Sequence, residues 1–590
     1  MPNERETPSK SFDVVICGGG LSGLLLARQL RRELPDLSVA VIERQGRPLP
    51  DGCHKVGESS VEAGCQYMES LGLAQYMLDR QLVKYGLRFF PGGGKQPVHE
   101  RTEIGPCAEP VVKSYQIDRG RFENDLREFN EADGVAMIEG CKVTTIELGE
   151  DGALHRIDYE GAATGSVTAR WLVDATGRQA LLRKRMKSTR GSPHAASAGW
   201  FRIEGRLGPA DLVPATETEW HGREGAEHRW RSTNHFMGPG YWLWLIPLST
   251  GMTSVGLVIH KEIHDPKNIA GLENTLAFIR EHEPYIAAAL ERFEVKDFLC
   301  LHDYSHQVAR AWSPNRWAMV GEAGAFVDPL YSPGSDYIGF ANMFTTELIR
   351  RDFAGEEWVE QSTHLNYLYR AMVSGAIDIF KQAAPVYGHP SAMLAKIYWD
   401  NLSYWSFTCH LGKQGIHTLS PVEYQPYGEI GTRLAEIGNF MQAWLRHWAL
   451  LAPEPQDGKA YGAPHFPSVH IDAHMRIADR MTLPETLDYM RMRHRQIEEA
   501  AVEIVLRTLQ KVGPEIGRQL LEATEFGRWN VQLTQERIET ELLRGQARRL
   551  RMSIIARDAE RSLGKIARHE RADEALDLLQ SYLAEPSPAP

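Results

Sequence analysis

A glycine motif near the N-terminus has the spacing of a nucleotide-binding turn. In "VVICGGGLSG", Gly18, Gly20 and Gly23 follow an apolar run and precede an amphipathic segment. In such a turn the glycines allow a tight bend, a close approach to a diphosphate and helix-to-strand packing, and the helix N-terminus offers N–H groups to phosphate. Glu43, near the end of the next apolar run, stands where an acid can bind ribose hydroxyls. The pattern predicts a nucleotide cofactor, the alternative being a glycine-rich turn without one.

Two later segments bear on which nucleotide is bound, because the glycine spacing does not separate NAD from FAD. "RWLVDATGRQ" carries Asp174 after a predicted strand, and "RWAMVGEAGAFVDP" is a second strand-to-glycine turn with Glu322. Together they resemble the FAD-binding fold of the para-hydroxybenzoate hydroxylase type. In that family an Asp usually stands beside the ribityl chain, and Glu322 is the longer acid at this position. The resemblance implies that the cofactor is FAD.

A strand-like stretch, "YWLWLIPL", places Trp242 and Trp244 in alternation. Residues two apart point to the same face of a strand, so an ordinary buried sheet face would give this pattern as well. The stretch also matches the WxWxIP signature of flavin-dependent halogenases.

Further segments resemble the same family. "HKVGESSVEAG", with Glu58 and Ser59, is similar to the family's loop beside the flavin, and "YQIDRGRFENDLRE" is similar to its helix entry at Arg119. The similarity extends over roughly residues 11–350. It is closer to the branch that acts on phenols, pyrroles and carrier-bound substrates than to the tryptophan halogenases.

The resemblance implies a reaction and gives residues their roles. Reduced FAD, delivered by a separate flavin reductase, and O2 would oxidise a halide ion to hypohalous acid, which then halogenates an electron-rich substrate. Trp242 and Trp244 would form a wall that keeps substrate and water from the flavin. Lys84 stands where the family carries the lysine that holds the halogen, although a lysine in isolation is usually a surface residue. Ser332 and Gly334 lie in the turn that faces the flavin and halide.

Two residues depart from the halogenase pattern. Pro333 has no N–H to offer an anion, and Asp336 would repel halide if its carboxylate faced inward. Asp336 is instead a general-base candidate. Tyr331 stands where tryptophan halogenases carry a Glu just before this turn, and the phenol-type branch lacks that Glu too. These departures favour the alternative of a flavin hydroxylase or a desaturase/oxidase that works without halide, and a third possibility is a non-catalytic FAD-bound interaction protein.

The expected fold is α+β, with three parts. An FAD-binding Rossmann-like domain over residues 11–355 is interleaved with a substrate-binding sheet, at about 85–115 and 190–305. A large helical C-terminal region follows, with a substrate-covering part at 356–455 and further helices at 456–582. We expect residues 1–10 to be flexible and residues 583–590 to be disordered.

Composition excludes several classes of function. The 590 residues carry a net charge of -11, which argues against nucleic-acid binding. Seven cysteines without metal-ligand spacing predict a reducing compartment and no bound metal. Because no long apolar run or signal peptide is present, we expect a cytoplasmic protein without a membrane span. The expected partners are a small or carrier-tethered substrate, the reductase and halide.

Overall fold

The computed structural model describes residues 10–51, 55, 57–454, 468–526, 554–564, 566 and 572–584. Residues 1–9 and 585–590, which include most of the segments predicted to be flexible or disordered, lie outside this set. None of the described helices is long and apolar enough to cross a membrane. The chain forms a mixed α/β structure with two main sheets and many helices, in agreement with the coarse expectation from the sequence.

The strands are, in chain order, β1 (Lys10–Cys17), β2 (Val39–Glu43), β3 (Leu82–Val83), β4 (Leu87–Phe90), β5 (Tyr115–Gln116), β6 (Ala136–Glu139), β7 (Cys141–Glu147), β8 (His155–Gly161), β9 (Gly165–Asp174), β10 (Thr189–Gly191), β11 (Ala196–Glu204), β12 (Thr233–Gly238), β13 (Tyr241–Pro247), β14 (Met252–His260), β15 (Leu299–Leu301), β16 (His306–Val308), β17 (Trp312–Ser313) and β18 (Trp317–Met319).

The α-helices are α1 (Leu21–Glu33), α2 (Glu62–Ser70), α3 (Ala74–Arg80), α4 (Arg119–Ala132), α5 (Leu181–Arg185), α6 (Thr218–His221), α7 (Leu272–His282), α8 (Pro284–Leu290), α9 (Gly334–Ala354), α10 (Val359–Phe380), α11 (Pro390–Ser403), α12 (Cys409–Lys413), α13 (Pro421–Leu451), α14 (Ser468–Arg476), α15 (Leu483–Ala523), α16 (Ile554–Leu563) and α17 (Ala572–Ala584). A π-helical turn, Tyr404–Thr408, joins α11 to α12, and α15 is kinked at Gly513.

The first sheet is built on parallel strands. Its order is β17-β18-β9-β1-β2-β6, with β8 beside β9 and β7 beside β8. The strands β18, β9, β1, β2 and β6 pair in parallel, so their carboxyl ends share one edge. Parallel strands need helical crossovers, and α1 provides one between β1 and β2. The glycine turn after β1 and Glu43 at the end of β2 therefore lie at the same edge.

The second sheet has six strands in the order β15-β11-β14-β13-β12-β4. Its strands are antiparallel except for the pair of β12 and β4. The alternation in β13 divides its side chains between two cores, as a strand of period two requires. Trp242 and Trp244 face the core shared with the C-terminal helices, whereas Leu243 and Leu245 face α7 and α8 on the other side.

The position of Trp244 depends on a glycine in the neighbouring strand. Trp244 of β13 is paired with Gly256 of β14, and a Cβ atom at Gly256 would lie 2.0 Å from the indole ring. The indole therefore lies across the backbone of β14, and its Nε1 donates to the Ser254 hydroxyl at 3.2 Å.

We predict that Gly256→Ala lowers the free energy of unfolding by about 1–3 kcal/mol, because the added methyl group overpacks the site and displaces the indole. Chemical denaturation checks the prediction. Gly271→Ala is the matched control, because no described atom lies within 4 Å of its Cβ position and its backbone is extended. Equal stability of the two variants would contradict the packing described for Trp244.

Candidate active site

A cavity of about 520 Å³, lined by described residues of both sheets, lies where the two sheets meet. Its walls come from the carboxyl edge of the first sheet, from the start of α9, and from strands of the second sheet. The turn after β1 contributes Gly18 and Gly20, and the end of β2 contributes Glu43. Sites at the carboxyl edge of parallel strands commonly hold nucleotides.

The glycines of the first turn differ in what surrounds them. No described atom lies within 4 Å of the Cβ position of Gly20 or of Gly334, so both border open space in the cavity. At Gly18, with φ of +109°, a Cβ atom would lie 2.3 Å from the Ala175 carbonyl oxygen, and at Gly23 it would lie 2.1 Å from the Gly18 oxygen. Gly18 and Gly23 therefore hold the backbone together, whereas Gly20 leaves room for a ligand.

Two acids at this edge, Glu43 and Glu322, are stabilised by different groups. Glu43 accepts hydrogen bonds from the backbone N–H groups of Gly19 (2.7 Å) and Gln45 (2.8 Å) while lining the cavity. Burial raises the pKa of Glu322, an effect opposed first by Arg178 and then by Arg119. Arg178, Arg119 and Lys55 also line the cavity, which gives this end the positive charge that a diphosphate requires.

Glu58 is a buried acid and not a solvated one. Its carboxylate forms an ion pair of 2.8 Å with Arg202 of β11 and lines the cavity. Burial raises the pKa of Glu58, and Arg202 opposes the rise. This pair joins the loop before α2 to the second sheet.

Asp174 does not line the cavity, in contrast to the expectation that it contacts the cofactor. Its carboxylate accepts hydrogen bonds from the Thr176 N–H (3.0 Å), the Thr176 hydroxyl (2.6 Å) and the Leu182 N–H (2.7 Å). The side chain thus folds back into its own turn. These hydrogen bonds fix the shape of the turn, and the residues of this turn from Ala175 to Gln179 line the cavity.

The second sheet forms an aromatic wall. Trp242 and Trp244 both line the cavity, and their rings lie 5.6 Å apart. Trp200 of β11 and His235 of β12 complete this wall. The sequence did not indicate either residue, because each sits on a different strand and only the pairing of β12 with β13 brings His235 opposite Trp244.

His235 lies in this wall as a neutral group. Its ring stacks on Phe89 at 4.7 Å, and burial lowers the pKa of His235 to about 3.

Lys84 is completely buried beside the loop that carries Ser59 and Ser60. Its ammonium group donates to the Ser59 hydroxyl and to the Ser60 carbonyl oxygen, each at 2.9 Å. Ser59 lines the cavity but Lys84 does not. The Ser59 hydroxyl also contacts the hydroxyls of Thr233 (2.8 Å) and Ser332 (3.0 Å). Ser59 therefore stands between the cavity and the lysine.

Lys84 changes its charge close to neutral pH. Burial lowers the pKa of Lys84 to about 8, and Glu62, Cys65 and Asp336 oppose the decrease. An amine with this pKa can accept or release a proton near neutral pH.

The turn before α9 is unusual in its backbone. Ser332 adopts a φ of +60°, which non-glycine residues seldom do, and Pro333 caps the helix. Ser332, Pro333 and Gly334 all line the cavity, so the N-terminal end of this long helix is directed at it. Such an end favours a negative charge.

Asp336 lies outside the cavity, and its carboxylate faces α2. One oxygen accepts the Gly64 N–H and the other accepts the Tyr404 hydroxyl, each at 2.7 Å. Burial raises the pKa of Asp336 to about 7. The sequence-based concern that Asp336 repels halide, and its candidacy as a general base at the flavin, both require an inward-facing carboxylate, which the structure does not have.

One group of three metal-ligand types occurs among the described residues, namely His194, His260 and Asp328, all buried. Asp328 already accepts hydrogen bonds from His194 Nε2 (2.7 Å), the Tyr304 hydroxyl (2.6 Å) and the Leu330 N–H (2.9 Å). Its carboxylate is satisfied by protein donors, so these contacts fix the loop that leads to Ser332 without requiring an ion.

Residues 94–353 match the family model described as tryptophan halogenase. The chain is 24% identical over 436 residues to the flavin-dependent halogenase ChlA of Dictyostelium discoideum, covering 68% of this chain and 71% of the relative. It is 25% identical to a brominase of 1H-pyrrole-2-carbonyl groups on a peptidyl-carrier protein from Pseudoalteromonas luteoviolacea, covering 63% of this chain and 84% of the relative.

Solved structures show the same fold. The halogenase PltM in complex with phloroglucinol and FAD superposes with a TM-score of 0.61 at 14% identity, covering 83% of this chain and 96% of that one. The chain is therefore similar to flavin-dependent halogenases in both sequence and fold, and it is an FAD-dependent enzyme.

Proposed function

We propose that this enzyme uses reduced FAD, O2 and a halide ion to halogenate an electron-rich phenolic, pyrrolic or carrier-bound substrate. The observation that carries the proposal is the position of Lys84, which is buried directly behind the cavity and joined to it through the Ser59 hydroxyl. A lysine that is desolvated at such a site is unlike the surface lysines of a structural protein.

The cavity has the features that FAD requires. We propose that the first sheet acts as a Rossmann-type FAD-binding domain and the second sheet as the substrate domain. Gly20 would admit the diphosphate, Arg178 and Arg119 would balance its charge, and the carboxylates of Glu43 and Glu322 would bind hydroxyl groups of the cofactor. A separate flavin reductase would supply the reduced cofactor.

The residues around the cavity suit halide oxidation. When bound, reduced FAD would supply the activation of O2 that oxidises halide to hypohalous acid. Trp242 and Trp244 exclude water and substrate from this space with rigid apolar surfaces. The start of α9 attracts the halide ion. Pro333 removes one N–H donor from this turn, which leaves the helix end at Gly334 as the site for the anion.

Lys84 would carry the oxidised halogen on the far side of Ser59. Its protonated form can hold hypohalous acid by a hydrogen bond. Its neutral form, about one tenth of the total at pH 7 for a pKa of about 8, can form an N–halogen bond with release of water. Either species then transfers halogen to an electron-rich carbon.

The rival reading, a hydroxylase or desaturase that works without halide, rested partly on Asp336. Because the carboxylate of Asp336 is engaged by Gly64 and Tyr404, a general base at this position has no support from the geometry. Carrier-bound substrates remain part of the proposal through the similarity to the carrier-protein brominase.

We predict that Gly20→Val abolishes FAD binding while the fold remains intact, because the new side chain starts from a Cβ position that borders open space in the cavity and takes up room there. Fluorescence titration with FAD measures the binding, and circular dichroism checks the fold. Gly46→Ala is the control, since no described atom lies within 4 Å of that Cβ position and Gly46 does not line the cavity. Unchanged FAD affinity of Gly20→Val would remove the cofactor from this cavity.

A second prediction addresses Lys84. Lys84→Met keeps the bulk of the side chain and removes its amine, so halogenated product should fall at least about 100-fold while FAD binding and oxygen consumption persist. Phloroglucinol, which occurs in a PltM complex, serves as the probe substrate with chemically reduced FAD, and mass spectrometry detects the product.

The reactions are run with chloride, with bromide and with neither ion, and Lys113→Ala, a change at an exposed lysine, is the control. Product that forms without halide, or halogenation that survives in Lys84→Met, would refute the proposed function.

A further inference from the structure

The ammonium group of Lys84 is held by a short segment that ends in a helix N-terminus. Its two acceptors are the Ser59 hydroxyl and the Ser60 carbonyl oxygen, and α2 begins two residues later at Glu62. Ser60 is itself fixed, since its hydroxyl donates to the Tyr115 carbonyl oxygen at 2.8 Å. The location of the amine therefore depends on how firmly the segment from Ser59 to Gly64, called here the lysine-binding segment, is anchored.

The start of α2 is capped by other parts of the chain. First-turn N–H groups lack partners within a helix, and the N-cap residue Val61 has no polar side chain to offer. The Ala63 N–H donates to the Tyr404 hydroxyl at 3.2 Å, and the Gly64 N–H donates to Asp336 at 2.7 Å. Because the Tyr404 hydroxyl in turn donates to Asp336, one tyrosine and one carboxylate close the helix end together.

Close packing makes this cap rigid. A Cβ atom at Gly64 would lie 2.3 Å from the Ser335 hydroxyl, so α2 and α9 touch at the glycine. Tyr404 enters from the π-helical turn between α11 and α12, a kind of irregularity that is frequent at functional sites.

A second contact holds the same segment from another helix. His474 of α14 forms a hydrogen-bonded pair with Glu62, the first residue of α2, at 3.1 Å. The ring of His474 lies 4.8 Å from that of Trp405, next to Tyr404. One turn along α2, the Gln66 amide donates to the Ile477 carbonyl oxygen at 2.6 Å.

Several titratable groups near the lysine-binding segment affect the charge of Lys84. The titratable groups that act on it are Glu62 and Cys65 on α2, Asp336 on α9 and, on the cavity side, His235 of β12. Burial acts to raise the pKa of Glu62, but the hydrogen bond and charge of His474, together with a backbone hydrogen bond and the charge of Lys84, lower the pKa overall. Of the two carboxylates, Glu62 is thus held by His474 and Asp336 by Tyr404.

Both contacts come from beyond the part of the chain that matches the family model, which ends at residue 353. We propose that Tyr404 and His474 are positioning residues for Lys84: by holding Asp336 and Glu62 they fix the lysine-binding segment and keep two carboxylates beside the amine. The inference rests on the proposed role of Lys84. It gives the helical region a part in the reaction besides covering the substrate.

The sign of the expected effect follows from the carboxylates. Tyr404→Phe removes a donor that stabilises ionised Asp336, so this carboxyl group is protonated more often at neutral pH. His474→Gln removes the group that offsets the burial of Glu62. Each change leaves less negative charge to favour the ammonium form, so the titration midpoint of Lys84 should fall below about 8.

The experiment measures the amine directly in protein without FAD. Protein labelled with 13C,15N-lysine is titrated by NMR, and the Lys84 Nζ signal is assigned by its loss in Lys84→Met. We expect the midpoint to fall by about 0.5 or more in Tyr404→Phe and in His474→Gln. Glu62→Gln removes the carboxylate of this pair itself and should also lower the midpoint.

Two internal references separate positioning from general destabilisation. Tyr76→Phe removes a comparable tyrosine-to-aspartate hydrogen bond, that to Asp125, and should leave the midpoint unchanged. The signal of Lys396, a buried lysine held by Asp400 and Gln442, should not move in any of the variants.

A midpoint of Lys84 that stays constant in Tyr404→Phe, His474→Gln and Glu62→Gln, or that shifts equally in Tyr76→Phe, would overturn the inference. A failure of the proposed function would be seen in the halogenation assay and not in the titration. If Lys84→Met retained halogenation, the role of Lys84 would fall, whereas the titration reports the contacts of the amine without any turnover. In the variants that shift the midpoint, the pH profile of halogenation should shift with it while FAD affinity stays constant.

Discussion

The candidate active site depends most on how the protein solvates the buried ammonium group of Lys84. An ammonium group removed from water must find acceptors in the protein, or its pKa falls until it is neutral. Lys84 finds two acceptors, in Ser59 and Ser60, and this limited solvation leaves the pKa of Lys84 at about 8. The same hydroxyl that solvates the amine on one side faces the cavity on the other. Position and reactivity of the lysine are therefore set by one short segment.

Residues next to both sheets contact that segment, namely Thr233 of the second sheet and Ser332 before α9. The first sheet brings its carboxyl edge and the start of α9 to the cavity, with Ser332 in a left-handed conformation that directs its hydroxyl to Ser59. The second sheet brings the aromatic wall, in which Trp244 is accommodated only because β14 has Gly256 opposite it. The cavity and the lysine are thus separated by thin, closely packed elements and not by a long path through the protein.

The sequence was informative where function is carried by local pattern. The glycine spacing, the alternation of Trp242 and Trp244, and the position of Lys84 beside a recognisable motif are all local, and the structure places the glycine turn and both tryptophans at one cavity. The resemblance to flavin-dependent halogenases, the use of FAD and the mixed α/β architecture are confirmed. The specific roles of the site residues stay predictions.

The sequence was less informative about whether a side chain points into the cavity or away from it. Asp174 and Asp336 sit beside cavity residues in the chain, yet both carboxylates turn away to accept backbone N–H groups. No local pattern shows which way an acid faces. His235, Tyr404 and His474 reach the site only through strand pairing or helix packing across long stretches of chain, so they lie beyond what single-sequence reasoning detects.

The most direct test of this account is a crystal structure of the enzyme with FAD and bromide, in which anomalous scattering locates the ion. The account predicts that FAD fills the cavity lined by Trp242 and Trp244, that bromide lies at the start of α9, and that Lys84 lies beyond Ser59 without touching the flavin. A flavin ring in direct contact with the Lys84 amine, or FAD bound outside this cavity, would contradict it.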